Sequence, residues 1–216
     1  MIDWDTIETV FLDMDGTLLD LNFDNHFWCE FVPQRYAEKN GLTLSESKRE
    51  LVPRFKAMEG KIEWYCLDHW SRELDLDIAD LKSEISGLIA LLPHVVEFLE
   101  SVRARGKRLV LVTNAHRDSL GLKMERTALN RFFDQIICAH DFGIPKEDAR
   151  FWSRLNEIEP FQAEMTVMAD DSLAVLRSAE RYGIRYCVAV LKPDSKQPAR
   201  VASDLLAIND FRELMD

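Results

Sequence analysis

The chain has 216 residues, 47% of them hydrophobic, with only 8 glycines and 7 prolines. That length can bury roughly 70% of the unfolded surface without a disulfide or metal staple, and the composition excludes a disordered or collagen-like chain. The formal net charge of −11, from 27 basic against 38 acidic residues, argues against a protein that grips nucleic acid by its phosphates.

The first segment, "MIDWDTIETV", lacks the basic start and apolar core of a signal peptide. No apolar run approaches the ~18 residues of a membrane span. Cys29, Cys66, Cys138 and Cys187 are scattered without a C-x-x-C pair, as expected for free thiols in a reducing compartment. A cytoplasmic location, with neither membrane nor nucleic acid as partner, is the resulting expectation.

Apolar, mostly aliphatic runs at Val10–Asp13, Arg108–Thr113, Gln135–Ala139, Thr166–Ala169 and Arg185–Val190 read as strands buried on both faces. Between them lie helical stripes. Val95, Val96, Phe98, Leu99 and Val102 form one, stopped by Gly106, and Leu173, Val175, Leu176, Ala179 and Tyr182 form another, stopped by Gly183. Strands alternating with helices predict right-handed βαβ units and a doubly wound, Rossmann-like parallel α/β sheet.

The first connection is far too long for an ordinary crossover, yet it is helical. Asn40-Gly41 is a stop signal, Thr43-Leu-Ser-Glu46 fits a capping box, and Trp64, Leu67, Trp70 and Leu74 share one face. Leu81, Ile85, Leu88, Ile89 and Leu92 close the segment before Pro93. Residues 21–91 are therefore expected to form a helical cap domain, with residues 1–20 and 92–216 as the core.

Open parallel sheets bind ligands beyond the carboxyl ends of their strands, and the polar residues gather there. Asp13 and Asp15 follow the first strand, Thr113-Asn114 the second, Lys146 the third and Asp170-Asp171 the fourth. Singly, each has a bland reading as a turn, a helix cap or a solvated lysine. Together, in order, they fit phosphoryl transfer. One carboxylate attacks phosphorus, and a second, two residues on, serves as acid and then base. A third lets the group hold Mg²⁺, while a hydroxyl, backbone N–H groups and a lysine steady the phosphoryl oxygens.

"FLDMDGTLL", "LVTNA", "GIPKED" and "MADDS" resemble the four motifs of the haloacid dehalogenase-like hydrolase superfamily. The resemblance implies Asp13 as nucleophile and Asp15 as general acid/base. It also implies Mg²⁺ on Asp13, the backbone carbonyl of Asp15, and Asp170. Thr113 and the N–H of Asn114 would hold the phosphoryl group, Lys146 would balance charge, and Asp171 would orient Lys146 or cap a helix. Ala169 stands where the family carries a bulkier aliphatic, a change expected to alter packing only. "LDMDGTLLDLNFDNHFW", "WYCLDHWS", "TNAHRDSLGLKMERTAL" and "GIRYCVAVLKPDS" extend the resemblance to purine nucleotidases within the superfamily. It implies a purine nucleoside monophosphate such as GMP or IMP as substrate.

Trp28, Trp64, Tyr65 and Trp70 are expected mostly as cap core, with Trp28 or Trp64 facing a purine. Asn22, Asp24 and Asn25 are expected to contact base or ribose, or to cap the helix after the first motif. The five histidines show no metal spacing, and His116 reads as a structural or capping residue. A phosphatase for a sugar phosphate or phosphoglycolate, a mutase and a catalytically silent binding protein of the same fold remain alternatives. A dehalogenase has no use for Asp15 or Asp170.

Overall fold

All five expected strands form, and a sixth joins them. The computed structural model describes residues 2–201 and 204–215. The strands are β1 (Thr9–Leu12), β2 (Arg108–Thr113), β3 (Gln135–Cys138), β4 (Thr166–Asp170), β5 (Tyr186–Val190) and β6 (Leu206–Ile208). They make one all-parallel sheet in the order β3-β2-β1-β4-β5-β6. The boundaries differ slightly from expectation: β1 ends before Asp13, β3 ends before Ala139, and β4 extends to include Asp170.

Alternating side chains feed two separate cores. Val10, Leu12, Leu109, Leu111, Val167 and Ala169 pack with α6 (Val95–Ala104) and α7 (Arg117–Thr127) on one face. Phe11, Val110, Val112 and Met168 pack with α8 (Ala149–Ile158) and α9 (Leu173–Tyr182) on the other. Each fully buried aliphatic or aromatic side chain contributes roughly 1.5–3 kcal/mol. A one-residue slip would send Phe11 into the space of Leu12, so the register is fixed. Gly106 and Gly183 end α6 and α9 in left-handed conformation, as their sequence stops imply. Leu173 is the exception to its stripe: it stands 46% exposed, and Ser172 caps the helix in front of it.

The long connection carries its own apolar cluster. Phe27, Leu51, Phe55, Leu67, Trp70, Leu74 and Ile78 are buried together. Here α1 (Asn22–His26) runs through a π-helical turn (Phe27–Phe31) into α2 (Val32–Asn40). Pro33 has no N–H to offer the preceding turn, and the turn widens so that Val32 N–H reaches Phe27 O instead. Gly41, at φ 64°, ends α2. The Thr43/Glu46 capping box starts α3 (Leu44–Met58), followed by α4 (Leu67–Leu74) and α5 (Ile78–Glu84). The final apolar series breaks there into a 3-10 turn, Ser86–Leu88, which leaves Leu88 exposed. The architecture is thus a doubly wound α/β core with an inserted helical cap.

The cap leaves and returns through a neck. Leu19 and Leu91 form an antiparallel bridge. Asp20 N donates to Ala90 O at 2.9 Å, and Leu92 N to Leu18 O at 2.9 Å.

Candidate active site

β1 and β4 are neighbours from which the chain winds in opposite directions, the switch point where doubly wound sheets open a crevice. Asp13 follows β1 and Asp170 ends β4, and Lys146 lies between them. Its Nζ donates to Asp13 Oδ1 at 2.5 Å, Asp170 Oδ2 at 2.8 Å and Val112 O at 3.0 Å. All three side chains are buried. The other motif residues are tied in by local bonds. Thr113 Oγ1 accepts from Ala115 N (3.0 Å), Asn114 Oδ1 accepts from Lys146 N (3.0 Å), and Asp170 Oδ1 accepts from Ser172 N (2.8 Å). Gly16, at φ 82°, lets the turn pass so close to Asp171 that a Cβ would stand 2.8 Å from its Cγ. The structure thereby gathers Asp13, Asp15, Thr113, Asn114, Lys146, Asp170 and Asp171 around one cavity of about 220 Å³.

Carboxylates outnumber cations in this crevice. Burial pushes Asp13, Asp170 and Asp171 up to about 6, against the pull of Lys146 on all three and of Arg200 on Asp171. One oxygen from each of these three lies within 4.8 Å of the others. Such an all-oxygen, charge-deficient cluster suits a small hard cation. Its third carboxylate is Asp171, a residue expected only to orient Lys146 or cap a helix. Asp171 neither bonds Lys146 nor caps α9; its backbone and side-chain oxygens accept from Arg200 at 2.7 and 3.0 Å.

The Asp15 carboxylate borders both cavities and gives its Oδ1 to a buried relay. Lys123 Nζ donates to Asp15 Oδ1 and Asp24 Oδ2, each at 2.7 Å, and Lys82 Nζ donates to Asp24 Oδ1 at 2.5 Å. Lys82 also lies 4.6 Å from the Phe27 ring centroid and 4.8 Å from that of Phe23. Burial and neighbouring carboxylates raise Asp15 to about 6 despite Lys123. For Asp24, burial is outweighed by the two lysines, which hold it below the usual carboxylate range.

Neither lysine is foreseen from sequence, yet each leaves a signal. Lys123 falls between Leu120 and Met124, and Lys82 follows Leu81 on the core face of α5. A lysine at an apolar-stripe position is buried and therefore paired. Glu147 is also missed, although it sits inside a conspicuous motif. It accepts from Asn114 Nδ2 (2.9 Å) and from Tyr65 OH (2.7 Å), joining core to cap. Burial and Glu147 hold the Tyr65 phenol well above its usual range, so it stays a donor.

A larger cavity of about 640 Å³ adjoins the first, sharing Asp15, Leu21, Tyr65 and Ala115 with it. Trp28, Phe55 and Trp64 supply its aromatic wall; the Trp28 and Trp64 rings are inclined by only 29° with centroids 6.2 Å apart. Trp70, 1% exposed, is cap core. Asp24 borders the cavity with both oxygens already engaged, and Asn22 lines neither cavity. None of the three residues expected to cap α1 does so: Asp20 Oδ1 accepts from Asn22 N, while Asn25 donates to Asp194. His116 does cap its helix, accepting from Asp118 N at 3.4 Å.

A sheet of this topology, with a carboxylate–lysine centre at its switch point and a helical cap inserted after β1, defines a hydrolase class. The chain belongs to the haloacid dehalogenase-like hydrolase family, whose model matches residues 7–183. It is an enzyme of the phosphatase type in that family. Over 214 residues it is 41% identical to the GMP/IMP nucleotidase YrfG of Escherichia coli strain K12, spanning 99% of this chain and 96% of the relative. It is 24% identical to phosphoglycolate phosphatase 1 of Pseudomonas aeruginosa, over 95% of this chain and 78% of that one. A HAD phosphatase from Thermococcus onnurineus has the same fold, with a TM-score of 0.80 at 22% identity over 96% of both chains. Among the described residues, no helix is long and apolar enough to cross a membrane.

Proposed function

We propose that the chain is a Mg²⁺-dependent phosphomonoesterase acting on purine 5′-nucleotides such as GMP and IMP. The observation that carries this reading is the pair of joined cavities. The polar one, beside Asp13, Thr113, Asn114 and Lys146, has the size and donors for a phosphoryl group, and the aromatic one has the room and walls for a nucleoside. The name of the 41%-identical relative points to the same substrates.

Asp13, Asp170 and Asp171, with the backbone carbonyl of Asp15, would hold Mg²⁺, which when bound supplies positive charge for the phosphoryl oxygens. Asp13 attacks phosphorus in line, and the ester P–O bond breaks as the leaving oxygen takes the proton of Asp15. The product alcohol leaves an aspartyl-phosphate. Asp15, now ionised, takes a proton from water as that water attacks phosphorus, which frees phosphate and restores Asp13. A pKa of about 6 lets Asp15 serve in both directions near neutrality. Lys146 neutralises Asp13 and Asp170 throughout, while Thr113 and the Asn114 N–H steady the phosphoryl group.

Residues 21–91 act as the cap that excludes water, hinging at the paired neck segments. Four free cysteines suit the cytoplasm. Asp13→Asn is expected to abolish hydrolysis while the fold persists; turnover by that variant would remove Asp13 as nucleophile. Initial rates on GMP, IMP, AMP, phosphoglycolate and glyceraldehyde 3-phosphate test the substrate. A flat profile, or a preference for the two small esters, would overturn the nucleotidase reading.

A further inference from the structure

We infer that Cys66, Asp68 and His116 form a second metal site, for a borderline-soft divalent cation of the Zn²⁺ type, that pins the cap to the core. Cys66 immediately precedes α4, Asp68 lies in its first turn, and His116 stands at the start of α7. The cap thus supplies two donors and the core one. Their donor atoms lie within 4.8 Å of one another. Metal–ligand bonds of roughly 2.0–2.3 Å need donors closer than that, a contraction of about 1 Å that side-chain rotation can supply. Thiolate, imidazole and carboxylate together select Zn²⁺ or Co²⁺ over Mg²⁺, whereas the Asp13 cluster offers oxygen alone.

The surroundings of the two imidazoles support the assignment. His116 Nε2 faces Asp68 Oδ2 at 3.7 Å, and its Nδ1 has Asp118 Oδ2 behind it at 3.5 Å. Metal binding at Nε2 would move the ring proton to Nδ1, exchanging its acceptance from Asp118 N for a charge-assisted contact with Asp118 Oδ2, the carboxylate-behind-imidazole arrangement of metal-binding histidines. His140 lies edge-on to His116, with ring centroids 5.2 Å apart. The Asn114 backbone holds the His140 ring, while its buried Nε2 has no hydrogen-bond partner. A buried ring nitrogen without a partner is unfavourable, so this corner of the chamber wall carries unused polar capacity beside the three donors. Cys66 and Asp68 line neither cavity and take no part in the hydrolysis, whereas His116 borders the larger cavity. Filling this site therefore ties α4 to the start of α7 at the chamber wall and slows cap opening.

The test uses the protein in excess Mg²⁺, titrated with Co²⁺ as a spectroscopic stand-in. One equivalent should produce a thiolate-to-cobalt charge-transfer band and tetrahedral d–d absorption. Both should vanish in Cys66→Ser, and the affinity should fall at least tenfold in Asp68→Asn. Zn²⁺ should slow p-nitrophenyl phosphate turnover at saturating Mg²⁺ in the wild type but not in Cys66→Ser, whose Mg²⁺-supported rate should be unchanged. Identical cobalt spectra and affinities in all three proteins would overturn the proposal. So would Zn²⁺ inhibition untouched by Cys66→Ser, because the ion would then be acting at the Asp13 cluster. The cobalt spectrum needs no turnover, so it stands or falls separately from the nucleotidase reading.

Discussion

Replacing Asp24 with Asn probes the buried relay most directly. Asp24 carries Lys82 on one oxygen and Lys123 on the other, and the two lysine side chains are 3% and 1% exposed. With Asp24 ionised, the four groups balance: Asp15 and Asp24 against Lys82 and Lys123. Asn leaves two buried ammonium groups with one carboxylate between them. Removing one partner of a buried pair costs about 3–5 kcal/mol, and the lower end applies because the amide oxygen can still accept from one lysine.

About 3 kcal/mol corresponds to a fall of roughly 6–12 °C in Tm for a chain of this size. Urea unfolding at pH 7.5 should show it as a lower midpoint with an unchanged slope. Lys82→Met added to Asp24→Asn should recover part of the loss, since it removes the stranded charge. The folded pKa of Asp24 lies below its unfolded 3.8, so its contribution is present above that pH and lost as the pH falls further. The gap between wild type and variant should therefore close below pH 4. In the same variant Lys123 acts on Asp15 alone and lowers its proton affinity, moving the alkaline limb of kcat/KM to lower pH. A loss under about 1 kcal/mol, constant from pH 7.5 to pH 3, would refute the reading of these charges as a closed, desolvated set.

Asp13, Asp15, Asp170 and Asp171 are each raised to about 6 by burial. The stability they lend through protonation is present below about pH 4 and fades as the pH climbs through 6. Mg²⁺ needs the ionised forms, so it should raise Tm more at pH 8 than at pH 5; an equal or larger shift at pH 5 would contradict this. Gly16→Ala combines a φ of 82° with a Cβ 2.8 Å from Asp171 and should cost about 1–3 kcal/mol. It should also raise the Mg²⁺ concentration for half-maximal rate, and wild-type values for both would refute the close-approach argument. Trp64→Ala removes one wall of the larger cavity. It should raise KM for GMP by about five- to a hundredfold, in line with ~1–3 kcal/mol per stacked base, with little effect on p-nitrophenyl phosphate. A parallel loss on both substrates would mean that Trp64 only supports the cap.

The core strands were legible because a parallel strand covered on both faces must be apolar at every position, as in β1, where all four residues are buried. β6 escaped notice because it has three residues and two of them, Leu206 and Ala207, are only partly covered. The motif carboxylates were legible as residues, but the basic groups each would face were not. That Asp15 faces Lys123 while Asp171 joins Asp13 depends on how α7 and the cap approach β1, a long-range fact with no local spacing rule. The same holds for the rings: helical period placed Trp64 and Trp70 on one face, but only packing decided that Trp70 is sealed and Trp64 borders the chamber. Asp20 displaced Asn22, Asp24 and Asn25 as the residue holding the first helical turn, because the neck brings its carboxylate against both Asn22 N and Ser195 N.

That neck has an evolutionary corollary. Because Leu19 lies beside Leu91, and Asp20 N is bonded to Ala90 O, the inserted helices begin and end at almost one point. To the sheet they impose no more spacing than a tight turn, and closing a longer or shorter insert at such a point changes the chain entropy only slowly with length. A lineage can therefore enlarge, trim or exchange the helices that wall the larger cavity while the strands that present Asp13 and Asp170 keep their register. The two cavities are walled in the main by separately replaceable parts.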